Sequence, residues 1–524
     1  MKYYDNVRER FPDYLNDESG IVKNSRAERI FFPETEQDIQ NILKQANQAK
    51  TPVAISGGGT GISGGRVPLC GWIVATDKMT GLHSQAPANA EQWQWRDPET
   101  DRTYEVRLEK KDANSAVLTV PVAITIKAIQ NLAREKGWFY PPDSTERSAF
   151  IGGNVVTNAS GARTFKFGAT RPWVTGMRVV LPQGEAVALS RSQGPYLADN
   201  PHIAIPGAPG YAVPRPSYTL PQIDKNVAGP VLTAQSEAID LFIGSEGLFG
   251  VISEVSLHLI KPPEEIVSLF IYCRDNQQAF RLIRMCQDQR RTQTTPIPMS
   301  VEFLDSRSLG FMREKGQVPD EANALVILEQ DVYSEDELFD SLEFYSDFCD
   351  DLGVIDTSVA ENRAQIEKHK ELRHTVPEAV NALVRKNGQS KLGTDYAVPE
   401  KSFKELFDYV FHLGDRFEAY QQSGQPGYAF WAHAGDNHIH LNLLPTTDKE
   451  AAYARELVLD LVKKVVGLNG TIAAEHGLGK KQLGGHPLLY YQYGDQGIAD
   501  IRAMKEVLDP LHLLNRGNLI GQTG

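Results

Sequence analysis

Residues 56–65 read SGGGTGISGG. Six of these ten positions are glycine, with Thr60 and Ser63 between them, more than a tight turn needs. Without Cβ atoms, successive backbone N–H groups can converge on an anion, so the stretch reads as a nest for a pyrophosphate. Gly59, Gly61 and Gly64 also fit G-x-G-x-x-G, and Asp77 stands where a Rossmann site has its ribose-binding acid. Context removes that reading. RVPLCGWIVAT follows Gly65, and with Pro68 and Gly71 inside it no helix starts there to receive the phosphates. Outward from the loop, TPVAIS (51–56) and GWIVAT (71–76) read as short buried strands. Thr35 to Ala49 reads as a helix with Ile39, Ile42, Leu43 and Ala46 on one face and Thr35 as N-cap.

Two further glycine-rich elements follow, PPDSTERSAFIGGNVVTNASGARTFKFGATR (141–171) and GSEGLFGVISEV (244–255). Three such elements predict one large flat ligand contacted through backbone. Between them, 91–114 is polar and reads as a surface excursion. Residues 116–120 read as a strand, 124–136 as a helix, and 178–182 with 185–190 as a hairpin around Gln183-Gly184. Residues 193–230 carry eight prolines and read as a long ordered loop, and 240–260 as strand, turn and strand. Beyond Lys261-Pro262-Pro263, strands (265–272, 324–330) alternate with long helices (277–289, 335–351, 403–411), which is α+β patterning. The chain is helical again from Ala451. The expected division is 1–262 with inserts near 85–115 and 193–230, then 263–450, then a C-terminal helical segment, 451–524, packing back on the first unit.

The 524 residues carry 54 Lys and Arg against 67 Asp and Glu, a net charge of −13. An acidic chain argues against nucleic acid as partner, since phosphate binding needs a clustered positive field. Four cysteines without a C-x-x-C exclude a readable disulfide framework, a thiolate zinc site or an Fe–S motif, and predict a reducing cytoplasm. The first residues lack an apolar signal core, and no apolar run is long enough to span a membrane. Peripheral membrane contact, a partner subunit and a homodimer are all compatible with this composition.

WAHAGDNHIHLNLL (431–444) holds three histidines within eight residues. On a strand, His438 and His440 share a face; alternatively, His433 and His440 meet across the turn at Gly435-Asp436-Asn437. GTIAAEHGLGKK (470–481) adds the adjacent Glu475 and His476. Two imidazoles and a carboxylate suit Zn²⁺ or another divalent ion, and ordinary hydrogen-bonded histidines are the competing reading.

In order and spacing, the three glycine-rich elements resemble the FAD-binding domain of the vanillyl-alcohol oxidase/p-cresol methylhydroxylase superfamily. The resemblance implies an α+β fold: a two-subdomain FAD-binding domain, a ferredoxin-like α+β substrate (cap) domain and C-terminal helices. It implies that Gly57, Gly58, Gly59, Thr60, Gly61, Ser63 and Gly64 hold the pyrophosphate, with Ser56 in the cofactor set. Pro142, Ser144, Gly152, Gly153, Asn158, Gly161 and Ile252 are then expected along the isoalloxazine and ribityl path. Asp143, Asn154, Ser160, Glu246, Gly247, Gly250, Val251 and Asn515 complete the expected cofactor set. Members that link FAD covalently use a His in the first loop; none stands there, so FAD is expected to be non-covalent.

H-x-G-D-x-x-x-H followed by E-H-G-x-G-K resembles the D-2-hydroxyacid dehydrogenase branch, and MKEVLDPLHLLNRGNLI (504–520) resembles its ending. That branch includes D-lactate dehydrogenases, the glycolate oxidase flavin subunit and D-2-hydroxyglutarate dehydrogenase. It implies His433, His440 and Glu475 as ligands of a divalent metal, zinc first, and His476 as catalytic base. Arg373 stands at the family's substrate-carboxylate Arg, with Lys391 a second candidate. His438 stands where the branch has a substrate-contacting Asn, which alters the fit of the acid. The expected activity is oxidation of a small anionic D-2-hydroxy acid. The electrons would pass to an external acceptor: quinone, cytochrome, electron-transfer flavoprotein or O₂. The competing expectations are a non-redox enzyme like alkyl-dihydroxyacetone-phosphate synthase, and an electron-relay flavoprotein subunit.

Overall fold

Val53–Ser56 runs parallel to Trp72–Ala75, which in turn pairs in parallel with Arg29–Phe31. Tyr3–Asp5 closes this four-stranded sheet. The chain is seen here in a computed structural model, which describes residues 2–191, 198, 200–316, 318–421 and 423–521. Helix Glu36–Ala49 buries Ile39, Ile42, Leu43 and Ala46. Thr35 accepts the Asp38 N–H while the Asp38 carboxylate accepts from Thr35 N, a capping box that satisfies orphan donors of the first turn. The expected helix therefore forms with its expected face and cap.

The second sheet has six antiparallel strands in the order Glu91–Arg96, Thr103–Lys110, Ser115–Pro121, Val251–Ile260, Val174–Val180, Ala186–Ser190. It corrects the expectation for 91–114, which is a hairpin rather than an excursion. Tyr104, Val106 and Leu108 alternate inward, and the polar residues between them conceal the period of two. It also corrects 240–260, where a short 3₁₀ turn, Ala238–Leu241, and a glycine loop precede a single long strand. Arg178, on strand Val174–Val180 of this sheet, makes a two-pronged ion pair with Glu36 at 2.6 and 2.9 Å, and Ser253 donates to the same carboxylate at 2.7 Å. This partly buried contact joins helix Glu36–Ala49 to the second sheet.

The proline-rich stretch is not loop throughout. His202–Ile205 and Ala208–Pro214 form an isolated two-stranded hairpin, consistent with prolines confined to edges. Residues 192–197 and 199 of that stretch lie outside the described residues. The hairpin leads to an irregular run in which Lys225, Asn226, Val227 and Ala228 are buried.

The third sheet runs Asp356–Ala360, Glu265–Cys273, Ala324–Val332, Ser300–Asp305, Tyr428–His433, His438–Leu443, Leu392–Gly393, with Tyr396–Ala397 also pairing on His438–Leu443. Helices Asn276–Thr292, Glu335–Leu352, Arg363–Asn387 and Glu400–Tyr420 accompany it. Helices Asp448–Gly467 and Leu488–Leu508 follow. The tail then returns to the first sheet: Val53 N donates to Leu513 O and Asn515 N to Val53 O, both at 2.9 Å. The architecture is thus α+β. Among the described residues, no helix is long and apolar enough to cross a membrane.

Candidate active site

The loop SGGGTGISGG leaves the edge strand Val53–Ser56 and is backed by two other segments. Lys480 N donates to Ser63 O at 2.8 Å, and the Lys480 ammonium reaches Gly64 O and Gly65 O at 3.1 Å. Gly479 sits at φ +51°, where any Cβ would collide with Ser63 O, so only glycine permits this approach. Glu246 clamps the same loop, its carboxylate accepting the Leu478 and Gly479 N–H groups at 2.7 Å. Burial nonetheless pushes the Glu246 carboxyl up from its ordinary range, against the pull of those N–H groups. Asn515 completes the joint, accepting Ile55 N at 2.8 Å and donating to Glu246 O at 2.9 Å.

A cleft of about 610 Å³ opens beside this joint. Its walls include Gly57, Gly58, Gly59, Thr60, Gly61 and Ser63 from the first glycine element. Ser144, Gly152, Gly153, Asn154 and Ser160 come from the second, and Glu246, Gly247, Gly250, Val251 and Ile252 from the third. Asn515, Glu475 and His476 also face it. Gly57 and Gly153 have open space where a side chain would stand, as backbone approached by a ligand requires. A long cleft lined by backbone on three sides fits a dinucleotide.

Six expected cofactor residues lie behind the wall rather than on it. Ser56 Oγ meets Arg66, Gly64 N donates to Asp17, and Pro142 O accepts from Gln130. Asp143 pairs with Arg147 at 2.9 Å. Asn158, at φ +48°, accepts Arg171 N at 2.9 Å, and Gly161 lies against Asp143 O, leaving no room for a side chain. These shape the elements that carry the wall.

Strands Tyr428–His433 and His438–Leu443 are joined by a 3₁₀ turn, with Asn437 at φ +58°. The turn and the strand period together bring all three histidines to one place. His433, His438, His440 and Glu475 each offer a ligand atom, and those atoms lie within 4.8 Å of one another. Glu475 Oε1 is 3.3 Å from His433 Nε2 and 3.7 Å from His438 Nδ1; Oε2 is 3.5 Å from His440 Nε2. His440 Nδ1 is fixed by Thr394 O at 3.1 Å. Such spacings and backing suit a divalent ion. His438 is fully buried and sits within this cage, not on the cleft wall where its expected substrate contact would place it. The strand period turns it toward His440.

Burial and the neighbouring His440 hold His438 well below the usual imidazole range, and burial lowers His440 too. Burial works to raise the Glu475 carboxyl, but His433, Lys225 and His438 hold it well below its ordinary value. His476, 32 % exposed, turns Nδ1 toward Asp395 Oδ2 at 3.4 Å. Asp395 also accepts His476 N at 2.8 Å, Glu475 N at 3.1 Å and His438 Nε2 at 2.9 Å. One carboxylate therefore fixes the whole Glu475-His476 corner.

Arg373, on helix Arg363–Asn387, pairs through Nε with Glu302 at 2.7 Å. Lys391 donates to Asn381 Oδ1 at 3.2 Å, and Asn381 lines the cleft. Burial lowers the Lys391 ammonium from its ordinary value. Neither cation is itself on the wall. Sequence reading missed Asp395, Glu302, Asp436 and Lys225 as parts of this corner. Asp395 carried a weak signal, lying between two short strands, Leu392–Gly393 and Tyr396–Ala397, that pair on the histidine strand His438–Leu443. Lys225 carried none, since nothing in its proline-rich surroundings marks it.

The chain belongs to the FAD-linked oxidases. The description "FAD linked oxidases, C-terminal domain" matches residues 262–519, and "FAD binding domain" matches 27–93 and 104–190. FAD is accordingly its cofactor. Among similar proteins is a D-lactate dehydrogenase of Anaerostipes hadrus, 25 % identical over 97 % of this chain and 92 % of its own. The glycolate oxidase subunit GlcD of Bacillus subtilis is 26 % identical over 95 % and 90 %. A D-2-hydroxyglutarate dehydrogenase of Stutzerimonas stutzeri is 24 % identical over 94 % and 90 %. Among solved structures, a 4-ethylphenol oxidase from Gulosibacter chungangensis shares the fold with TM-score 0.65 at 14 % identity, over 99 % of this chain and 94 % of that one. An alkyldihydroxyacetonephosphate synthase does so with TM-score 0.63 at 15 %, over 98 % and 81 %.

Proposed function

We propose that this protein oxidises a small D-2-hydroxy acid to its 2-oxo acid and passes the electrons to an external acceptor. The observation that carries this is the position of Glu475 and His476. They stand on the wall of the glycine-lined cleft and against the histidine cage at once. The three relatives named for D-lactate, glycolate and D-2-hydroxyglutarate, each matched over nearly its whole length, support the substrate class. Bound FAD supplies a two-electron sink for the hydride leaving C2. A divalent ion, zinc first, held by His433, His440 and Glu475, would supply Lewis acidity toward the substrate hydroxyl.

The chain's own residues do the rest. Asp395 occupies the Nδ1 side of His476, so Nε2 is the atom that takes the hydroxyl proton. Arg373 and Lys391, set behind the wall on Glu302 and Asn381, supply positive charge toward the substrate carboxylate. The test is dye-linked turnover with D-lactate, glycolate and D-2-hydroxyglutarate, the product trapped as a hydrazone. Formation of the 2-oxo acid is expected. Recovery of all three acids unchanged would sink the reading.

A further inference from the structure

Lys225 is a fully buried lysine that reaches the histidine cage and the turn beside it. Its ammonium donates to Glu475 Oε1 at 2.6 Å and lies 3.5 Å from His438 Nδ1. It also lies 3.5 Å from Asp436 Oδ2. The side chain arrives from the proline-rich stretch, far from the cage in sequence. Val227 N donates to Ala473 O at 2.8 Å, and Thr471 donates to Asn226 Oδ1 at 2.8 Å, so the segment is bound to the strand of chain that presents Glu475. The lysine is therefore held in place by backbone, not drifting in from the surface.

Asp436 is the second observation. Its side chain is fully buried, yet neither carboxylate oxygen accepts a hydrogen bond. It faces two cations at longer range, Lys225 at 3.5 Å and Arg290 Nη1 at 3.7 Å. Buried carboxylates are otherwise hydrogen-bonded. Lys225 thus has two carboxylates within reach of its flexible stem, one engaged and one held in reserve.

We propose that Lys225 is a built-in competitor of the divalent ion. It and the ion share Glu475, and Asp436 is the alternative partner to which the ammonium moves when an ion takes that carboxylate. The inference rests on the metal reading of the cage given above. Its consequence is an ion held loosely enough to exchange, because each binding event displaces or repels a positive charge a few ångströms away.

The experiment is titration of Zn²⁺ and Mn²⁺ into the FAD-loaded, chelator-stripped protein by calorimetry and by competition with a chromophoric chelator. Flavin content and thermal midpoint are recorded for every variant. Removing a unit charge that bonds Glu475 Oε1 at 2.6 Å predicts that Lys225→Met binds either metal at least about tenfold more tightly. Lys225→Arg, which keeps the charge, is expected within about threefold of wild type. Asp436→Asn removes the alternative partner and is expected to bind more weakly. Unchanged or weaker binding by a flavin-loaded Lys225→Met would overturn the competition. So would unchanged binding by Asp436→Asn, which serves as the check should Lys225→Met fail to fold. Binding by neither wild type nor Lys225→Met would overturn the metal reading itself.

Discussion

His476 is the only one of the four clustered histidines on the cleft wall, and Asp395 fixes both its backbone N–H and its Nδ1 side. His476→Asn keeps a polar side chain but removes the proposed base, so turnover is expected to fall by about 10²–10⁴-fold with flavin content unchanged. Steady-state kinetics on flavin-normalised protein check this. Arg373→Lys loses the planar fork while keeping charge. It is expected to lower kcat/KM by about tenfold or more, chiefly through KM. At this scale the sequence was legible where ligands lie close in the chain. His433, His440, Glu475 and His476 come from two short motifs, and the hairpin geometry of the first brings its histidines together. Lys225, Asp395 and Glu302 were hidden because each reaches the corner through tertiary packing, which no local spacing encodes.

Elements explain why the corner is rigid and where it is costly. Asp305 ends strand Ser300–Asp305 and caps helix Ser306–Arg313, accepting Ser308 N at 2.9 Å. Burial pushes its carboxyl up from the ordinary 3.8 to about 6, against the pull of that N–H. The folded-state value lies above the unfolded one. Asp305 therefore favours folding below pH 4 and loses that contribution as pH rises through about 6. The difference is about 3 kcal/mol. Asp305→Asn keeps the capping oxygen without the charge, so the difference in unfolding free energy between variant and wild type should grow in the variant's favour from pH 4 to pH 7. Denaturant unfolding across that range measures it. Gly479→Ala would force a Cβ into Ser63 O and part the two loops that flank the cleft. Purified variant is expected to retain less FAD than wild type, read from its absorbance ratio. Helix Glu36–Ala49 was legible because one apolar face and one cap agree. The hairpin 91–110 was not, because exposed polar residues on its outer face outweighed the inward Tyr104, Val106 and Leu108 in composition.

Across the whole molecule, the reacting corner is assembled from parts that meet only in the folded chain. Glycine loops from the first 260 residues form one wall, the third sheet supplies the histidines, and the tail joins the first and third glycine elements through Asn515, which bonds both Ile55 N and Glu246 O. The α+β class and the glycine loops were readable from sequence, because motifs repeat their chemistry locally. The cage with its buried lysine was not, because the proline-rich stretch enters it from outside every motif. The most direct measurement is the visible flavin spectrum of the purified protein, recorded anaerobically. D-lactate, glycolate and D-2-hydroxyglutarate are added in turn, then L-lactate, each with and without prior chelator treatment. Oxidation at this corner predicts that at least one D or achiral acid bleaches the flavin, that L-lactate does not, and that chelator slows the bleaching. A flavin band left intact by every acid would contradict it.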